Sequence, residues 1–410
     1  MKALEGIRIV DLTYGHGGSL ATMTLADHGA EVIKIEPPAG GDRARSWAPV
    51  KNGGSGYFAY LNRGKKSVAL DLDTEEGKEA AKAILKEADV LVENQPYGRM
   101  ESLGLSYEDV KAIKPDMIYV SVTGYGRTGP KKDKKAIELT MQASGGLMSR
   151  TGFTDGDSVK AGPEMAHQAA GLYAANAIVM ALIVREKTGE GQQIDVAMND
   201  AIYSLMEGNP ITYAMEGKIG PKLGNGDPTA APYDTFETND GFVALGTSSD
   251  PQWLKTCDAL GMDELKARPE YLKNADRVRI YFSGPKMREE VTSYTSKLSK
   301  FECQDRMWEL NQPCGAVYSI GEAMEGEQVK ARNMLTTVHD DNIGEDIRIP
   351  GVVIRLESTP GSIDKGSPVL GQDTAAVLEA AGYTAAQIEA LAAKGVICTA
   401  EDAADGKEVL

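Results

Sequence analysis

Short β-branched runs alternate with helical stretches along the first two hundred residues. GIRIVDL (6–12), EVIKI (31–35), SVALDL (67–72), DVLVEN (89–94) and MIYVSVTG (117–124) read as strands. Between them, EEGKEAAKAILKEA (75–88) and SYEDVKAIK (106–114) carry apolar residues at helical spacing. Strands separated by helices of this length imply βαβ units and an α/β fold built on a parallel, Rossmann-like sheet. A long apolar helix at 166–187, a strand at QIDVAM (193–198) and a helix from Asn199 toward Met215 complete this large domain, 1–216.

A Gly- and Pro-dense break, GKIGPKLGNGDPTAAP (217–232), follows, and its first part, 217–225, reads as a linker. Beyond it the texture changes. YDTFETNDGFVALGT predicts a hairpin turning at Asn239–Gly241, and amphipathic helices run through WLKTCDALG, VTSYTSKLSK and FECQDRMWELN. These elements predict a smaller α+β domain over 226–325. A third part, 326–410, contains IRIPGVVIRLESTPG and a helical tail.

Length supports this division, since 410 residues exceed what one core usually holds. A net charge of −16 argues against nucleic acid or an anionic membrane as partner. The start, MKALEGIRIVDL, reads as a strand rather than a signal peptide. The run at 166–184 is interrupted by His167, Gln168 and Asn176, so it is expected to be a buried helix rather than a membrane span. Four cysteines without a CxxC pair fit free thiols in a reducing cytoplasm, and the four histidines do not cluster with them as a zinc site would require. No bound metal is expected.

Three stretches could hold chemistry. In TYGHGGS (13–19), between a strand and a helix, Gly15, Gly17 and Gly18 let the backbone approach a ligand, and the helix N–H groups favour an anion. A tight turn explains the same glycines. Because the motif is not GxGxxG, an NAD-dependent dehydrogenase on this sheet type is disfavoured. In VENQPYGRMESLGL (92–105), Asn94 ends a strand where parallel sheets place ligand groups, and Arg99 could supply a cation for phosphate or be solvated surface. In KKDKKAIELTMQASGG (131–146), four lysines form either a solvated loop or a phosphate anchor. Glu138 sits among apolar neighbours, so either a raised carboxyl pKa or a helix-capping role is expected.

The segment from Gly124 to Asn199 reads GYGRTGP, AIELTMQASGG, and then TGFTDGDSVKAGPEMAHQAAGLYAANAIVMALIVREKTGEGQQIDVAMN. It resembles the centre of the class III (CaiB/BaiF-type) CoA-transferases, a family that also contains α-methylacyl-CoA racemases. The resemblance implies two interlocked chains, a C-terminal part that returns to the large domain, and coenzyme A or acyl-CoA as substrate, with no permanently bound cofactor. It implies a CoA site including Gly15, His16, Gly17, Leu70, Asn94, Arg99, Leu103, Lys135 and Ile137, with His16 near the thioester carbonyl and Glu138 facing the reaction centre. Counting back from REKTGEG (185–191) past Gly171, the family's aspartate nucleophile corresponds to position 167, where this chain has histidine.

In the family, the aspartate attacks the donor thioester to form a mixed anhydride, and CoA thiolate returns to give an enzyme–CoA thioester. An acceptor carboxylate then takes the CoA. Imidazole can accept an acyl group but cannot form that thioester. Three readings follow. The chain could transfer CoA through Glu138 or Glu164. It could move an α-proton as a racemase does, with His167 and Glu138 as acid and base, although Ile137 stands at the racemase histidine position. Or it could be a subunit with a degenerate site, paired with a homologue bearing the aspartate, as in two-subunit members such as succinyl-CoA:benzylsuccinate CoA-transferase. The third explains His167 most economically.

Overall fold

In this computed structural model, which describes residues 1–400, the chain forms two units. The first takes Met1–Leu147, Lys160–Gly217 and the chain from Gln328 onward; the second takes Met148–Val159 and Lys218–Glu327. Residues 148–159, expected in the large domain, therefore belong with the second unit.

The first unit begins β1 (Arg8–Leu12), α1 (Gly17–Asp27) and β2 (Glu31–Glu36). A small ribbon, β3 (Val50–Lys51) and β4 (Gly54–Ser55), precedes α2 (Gly56–Asn62). Then come β5 (Lys66–Leu70), α3 (Glu75–Lys86), β6 (Val90–Glu93), α4 (Arg99–Ser102), α5 (Tyr107–Ile113) and β7 (Ile118–Thr123). Helices α6 (Glu138–Ser144), α7 (Leu147–Arg150) and α8 (Met165–Thr188) lead to β8 (Gln193–Ala197), α9 (Met198–Ser204) and α10 (Gly208–Glu216).

The main sheet runs β5-β2-β1-β6-β7-β8, all parallel, and the C-terminal strand Ile397–Cys398 adds antiparallel to β5. Helices cover both faces, which is why these strands read as near-continuous apolar runs. Successive residues alternate between the layers: Ile9, Val32, Val90 and Val120 pack with α1 and α8, while Val10, Ile33, Val68 and Leu91 pack with α3, α5 and the C-terminal helices. The strand order reverses between β1 and β6, so the crevice beyond their carboxyl ends is where such a sheet binds ligands.

Helix α8 is apolar on all sides but not buried on all sides. A stripe of small residues, including Ala166, Ala170, Gly171, Ala174 and Ile178, packs inward. A Cβ on Gly171 would lie 2.6 Å from the Gly17 carbonyl oxygen, so α1 and α8 approach at backbone distance. Leu172, Tyr173, Met180 and Ile183 on the other side are 47–65% exposed. The expectation of a buried helix holds only for the first stripe. By length and composition alone α8 could cross a membrane. The helix expected from Asn199 toward Met215 is two helices, because Glu207 takes a left-handed φ of 51° between α9 and α10.

The second unit holds an antiparallel sheet, Cys314–Ala316 beside Gly241–Gly246 beside Tyr233–Thr238, with helices including Asp250–Leu260 and Lys300–Glu309. Phe236, Val243, Trp253, Tyr271 and Met307 fill its core.

Candidate active site

The loop Thr13–His16 leaves β1 at the crevice, and every residue in it is tied down. The Thr13 N–H donates to Asp11 (2.9 Å) and its carbonyl accepts from the Lys34 ammonium (2.6 Å). Asn94, at the end of β6, clamps Tyr14 by accepting from its N–H (2.9 Å) and donating to its carbonyl (2.8 Å). Gly15 has φ +72° and donates to both Asp42 oxygens at 3.2 Å; a Cβ there would meet the Trp47 ring at 2.9 Å. No residue with a side chain fits this turn without strain.

Fully buried charges support the loop from below: Lys34 pairs with Asp42 and Lys65 with Asp11, both at 2.9 Å. Burial opposes the Lys34 charge, but Asp42, Asp11 and Glu36 outweigh it and raise its pKa. Burial likewise opposes ionised Asp11, yet Lys65 and Lys34 hold its carboxyl well below the usual range. For Lys65 burial wins and pushes the ammonium down to about 8. Such pairs fix geometry, and removing one partner strands a buried charge.

His16 ends this loop just ahead of α1 and is 6% exposed. Its Nδ1 is hydrogen-bonded to the Tyr57 hydroxyl, while its buried Nε2 has no partner among the described residues. Burial, with a smaller push from His167, lowers its pKa to about 4. Burial, helped by Glu164, pushes the Tyr57 hydroxyl up to about 12. The His16 and His167 ring centroids are 5.7 Å apart, and Gly17 lies beside His167, where a Cβ would make ordinary contact with the imidazole at 3.6 Å.

Helix α8 has no cap of its own, since the Glu164 side chain makes no capping bond. Glu138, the first residue of α6, supplies one from across the fold. Its Oε1 accepts from the Ala166 N–H (2.9 Å) and the Gln142 amide (2.7 Å); its Oε2 accepts from the His167 N–H (3.2 Å) and the His167 ring Nδ1 (2.8 Å). Burial raises this carboxyl's pKa, but those bonds outweigh it and bring it down to about 2. This corrects the expectation of a raised value: the apolar neighbours are there, but so are four donors. The capping role is real, though it serves α8 rather than α6. Glu164 brings a carboxylate oxygen to 3.5 Å from the same Nδ1. Glu138, Glu164 and His167 could together offer three ligand atoms to a metal ion. With two donors on each Glu138 oxygen, however, no lone pair on that residue is left for a cation.

Glu138, His16, Gly17 and His167 thus meet at one point. Leu70, Leu103 and Arg99 meet at another, a small cleft that also includes Tyr14 and Asp73. Arg99 is not a free cation there, because Asp73 pairs with its guanidinium at 2.7 Å. Lys135 is exposed, as are Lys131, Lys132 and Lys134, and Ile137 is 61% exposed just before α6. Reading the sequence missed Lys34, Asp42, Trp47 and Tyr57. One signal was available for Lys34, a cation inside the apolar strand EVIKIE.

Known proteins match along nearly the whole chain. The family model for CoA-transferase family III matches residues 4–374. A protein named succinyl-CoA:mesaconate CoA-transferase from Haloarcula hispanica is 36% identical over 93% of this chain and 97% of its own length. A mouse succinyl-CoA:glutarate CoA-transferase is 35% identical over 97% of this chain and 91% of its own length. Among solved structures, a CaiB/BaiF family protein from Brucella suis superposes with a TM-score of 0.85 at 32% identity, covering 93% of this chain and 99% of that one.

Proposed function

This chain belongs to CoA-transferase family III, and we propose that it holds the acyl-CoA of a succinyl-CoA-dependent transferase while a homologous chain supplies the carboxylate nucleophile. The observation that carries this reading is the state of position 167. Its imidazole is hydrogen-bonded to Glu138, and both Glu138 oxygens are fully occupied in capping α8 and holding that ring. A class III transfer needs a carboxyl group free to carry acyl and then CoA. Glu138 could be freed only by uncapping the helix.

Succinyl-CoA as donor is taken from the names of the relatives, which pair it with mesaconate or glutarate. The acceptor is a carboxylic acid. The exposed apolar side of α8 supports assembly with a second chain, as an interlocked dimer or a heteromer. The geometry does not favour two-base racemisation by His167 and Glu138. The two are hydrogen-bonded to each other, so they form one base rather than groups on opposite faces of a carbon.

The test is to express the chain alone and with its homologue, then assay CoA transfer from succinyl-CoA. Transfer only by the pair, abolished by changing the homologue's aspartate, is expected. Robust transfer by the isolated chain contradicts the reading; if that transfer is lost in Glu164→Gln, the nearby Glu164 carboxylate is the nucleophile instead.

A further inference from the structure

The Glu138–His167 pair has a geometry of its own that transfer does not use. The Nδ1–H of His167 donates to an ionised carboxylate that is itself fully hydrogen-bonded, so a lone pair on this ring can sit only on Nε2. This is how a carboxylate fixes an imidazole as general base. His167 is half-buried, so the ring remains reachable.

His16, ring to ring with it at 5.7 Å, complements that base. The Tyr57 hydroxyl stays protonated and His16 stays neutral, both chiefly because of burial. The Tyr57 hydroxyl can donate to Nδ1, and in that tautomer the one ring proton of His16 lies on Nε2. That N–H is buried without an acceptor among the described residues, and a ligand oxygen would supply one.

We propose that Glu138, His167 and His16 make this chain an acyl-CoA hydrolase, with His167 as general base and His16 as donor to the thioester carbonyl oxygen. The proposal rests on the reading that the CoA thioester lies beside residue 167. A general base gains nothing with a carboxylate acceptor, which has no proton to remove, but it activates water. The water oxygen bonds to the thioester carbon as His167 Nε2 takes its proton, and the carbonyl oxygen becomes an oxyanion against the His16 N–H. Collapse breaks the C–S bond, and the proton passes from His167 to the sulfur. The products are the free acid and CoA thiol. Glu138 is a positioning residue that keeps the lone pair on Nε2.

The isolated chain is incubated with succinyl-CoA and no acceptor, and free thiol and succinate are followed against an enzyme-free control, with calorimetric binding of succinyl-CoA measured in parallel. Thiol and succinate are expected one for one above the control. His167→Ala should reduce the rate by about 10²-fold or more. His16→Phe should reduce it by about 10²- to 10³-fold, and His16→Gln, which keeps an N–H donor, should retain most of it. Release at the control rate with succinyl-CoA still bound, or a rate unchanged in His167→Ala, overturns the hydrolase and leaves the CoA reading intact. Deuterium entering the acyl α-carbon from D₂O without thiol release also overturns it, because the base then acts on carbon. Failure to bind succinyl-CoA overturns both.

Discussion

Glu138 shows how one side chain can cap a helix and orient a ring together. It closes the first turn of α8, 28 residues further along the chain, and it sets the tautomer of His167. Removing it exposes α8 N–H groups that no other side chain caps among the described residues. Glu138→Ala should therefore cost about 1–2 kcal/mol of stability in denaturant unfolding. The pH dependence has a definite sign. The folded-state pKa is depressed from 4.5 to about 2, so the contribution is fully present above about pH 4.5 and is lost as pH falls toward 2. An unfolding midpoint of wild type that changes with pH over this window as it does in Glu138→Ala would contradict the assignment. Nothing local in AIELTM shows this role. The residue's apolar neighbours were legible, but the donors that decide its pKa come from a distant helix.

At the scale of elements, α8 carries two different messages on two sides. The small-residue stripe fixes its distance to α1, where Gly171 meets Gly17. The outer side exposes Leu172, Tyr173, Met180 and Ile183, an apolar surface of the kind that marks association. Ile183→Glu should leave the fold and thermal unfolding of the chain nearly unchanged while reducing its oligomeric mass in sedimentation velocity. An unchanged mass would place the association surface elsewhere. The strands were readable because burial on both faces writes contiguous β-branched runs into the sequence, as in DVLVEN and MIYVSVTG. The break between α9 and α10 was not, because Glu207 in a left-handed conformation has no glycine to announce it. Residues 148–159 carry no compositional mark that assigns them to the second unit. The loop 13–16 was legible as a glycine-bearing turn between a strand and a helix. Its buried supports, Lys34 and Asp42, were not, since Asp42 reaches Gly15 only through the fold.

For the whole molecule, family membership sets the architecture and the class of reaction, and the proposal for this chain turns on one position, 167. CoA-transferase family III covers residues 4–374, and the sheet, the crevice beyond β1 and β6 and the loop bearing His16 are all in place. The proposed function places the carboxylate step on another chain because Glu138, the carboxylate that holds the ring at 167, is consumed in capping a helix. Its most direct test is intact-protein mass spectrometry of the isolated chain after exposure to succinyl-CoA without acceptor. An unmodified mass is expected, with a CoA adduct appearing only on the homologous chain when the two are combined. A CoA adduct on this chain alone would contradict it.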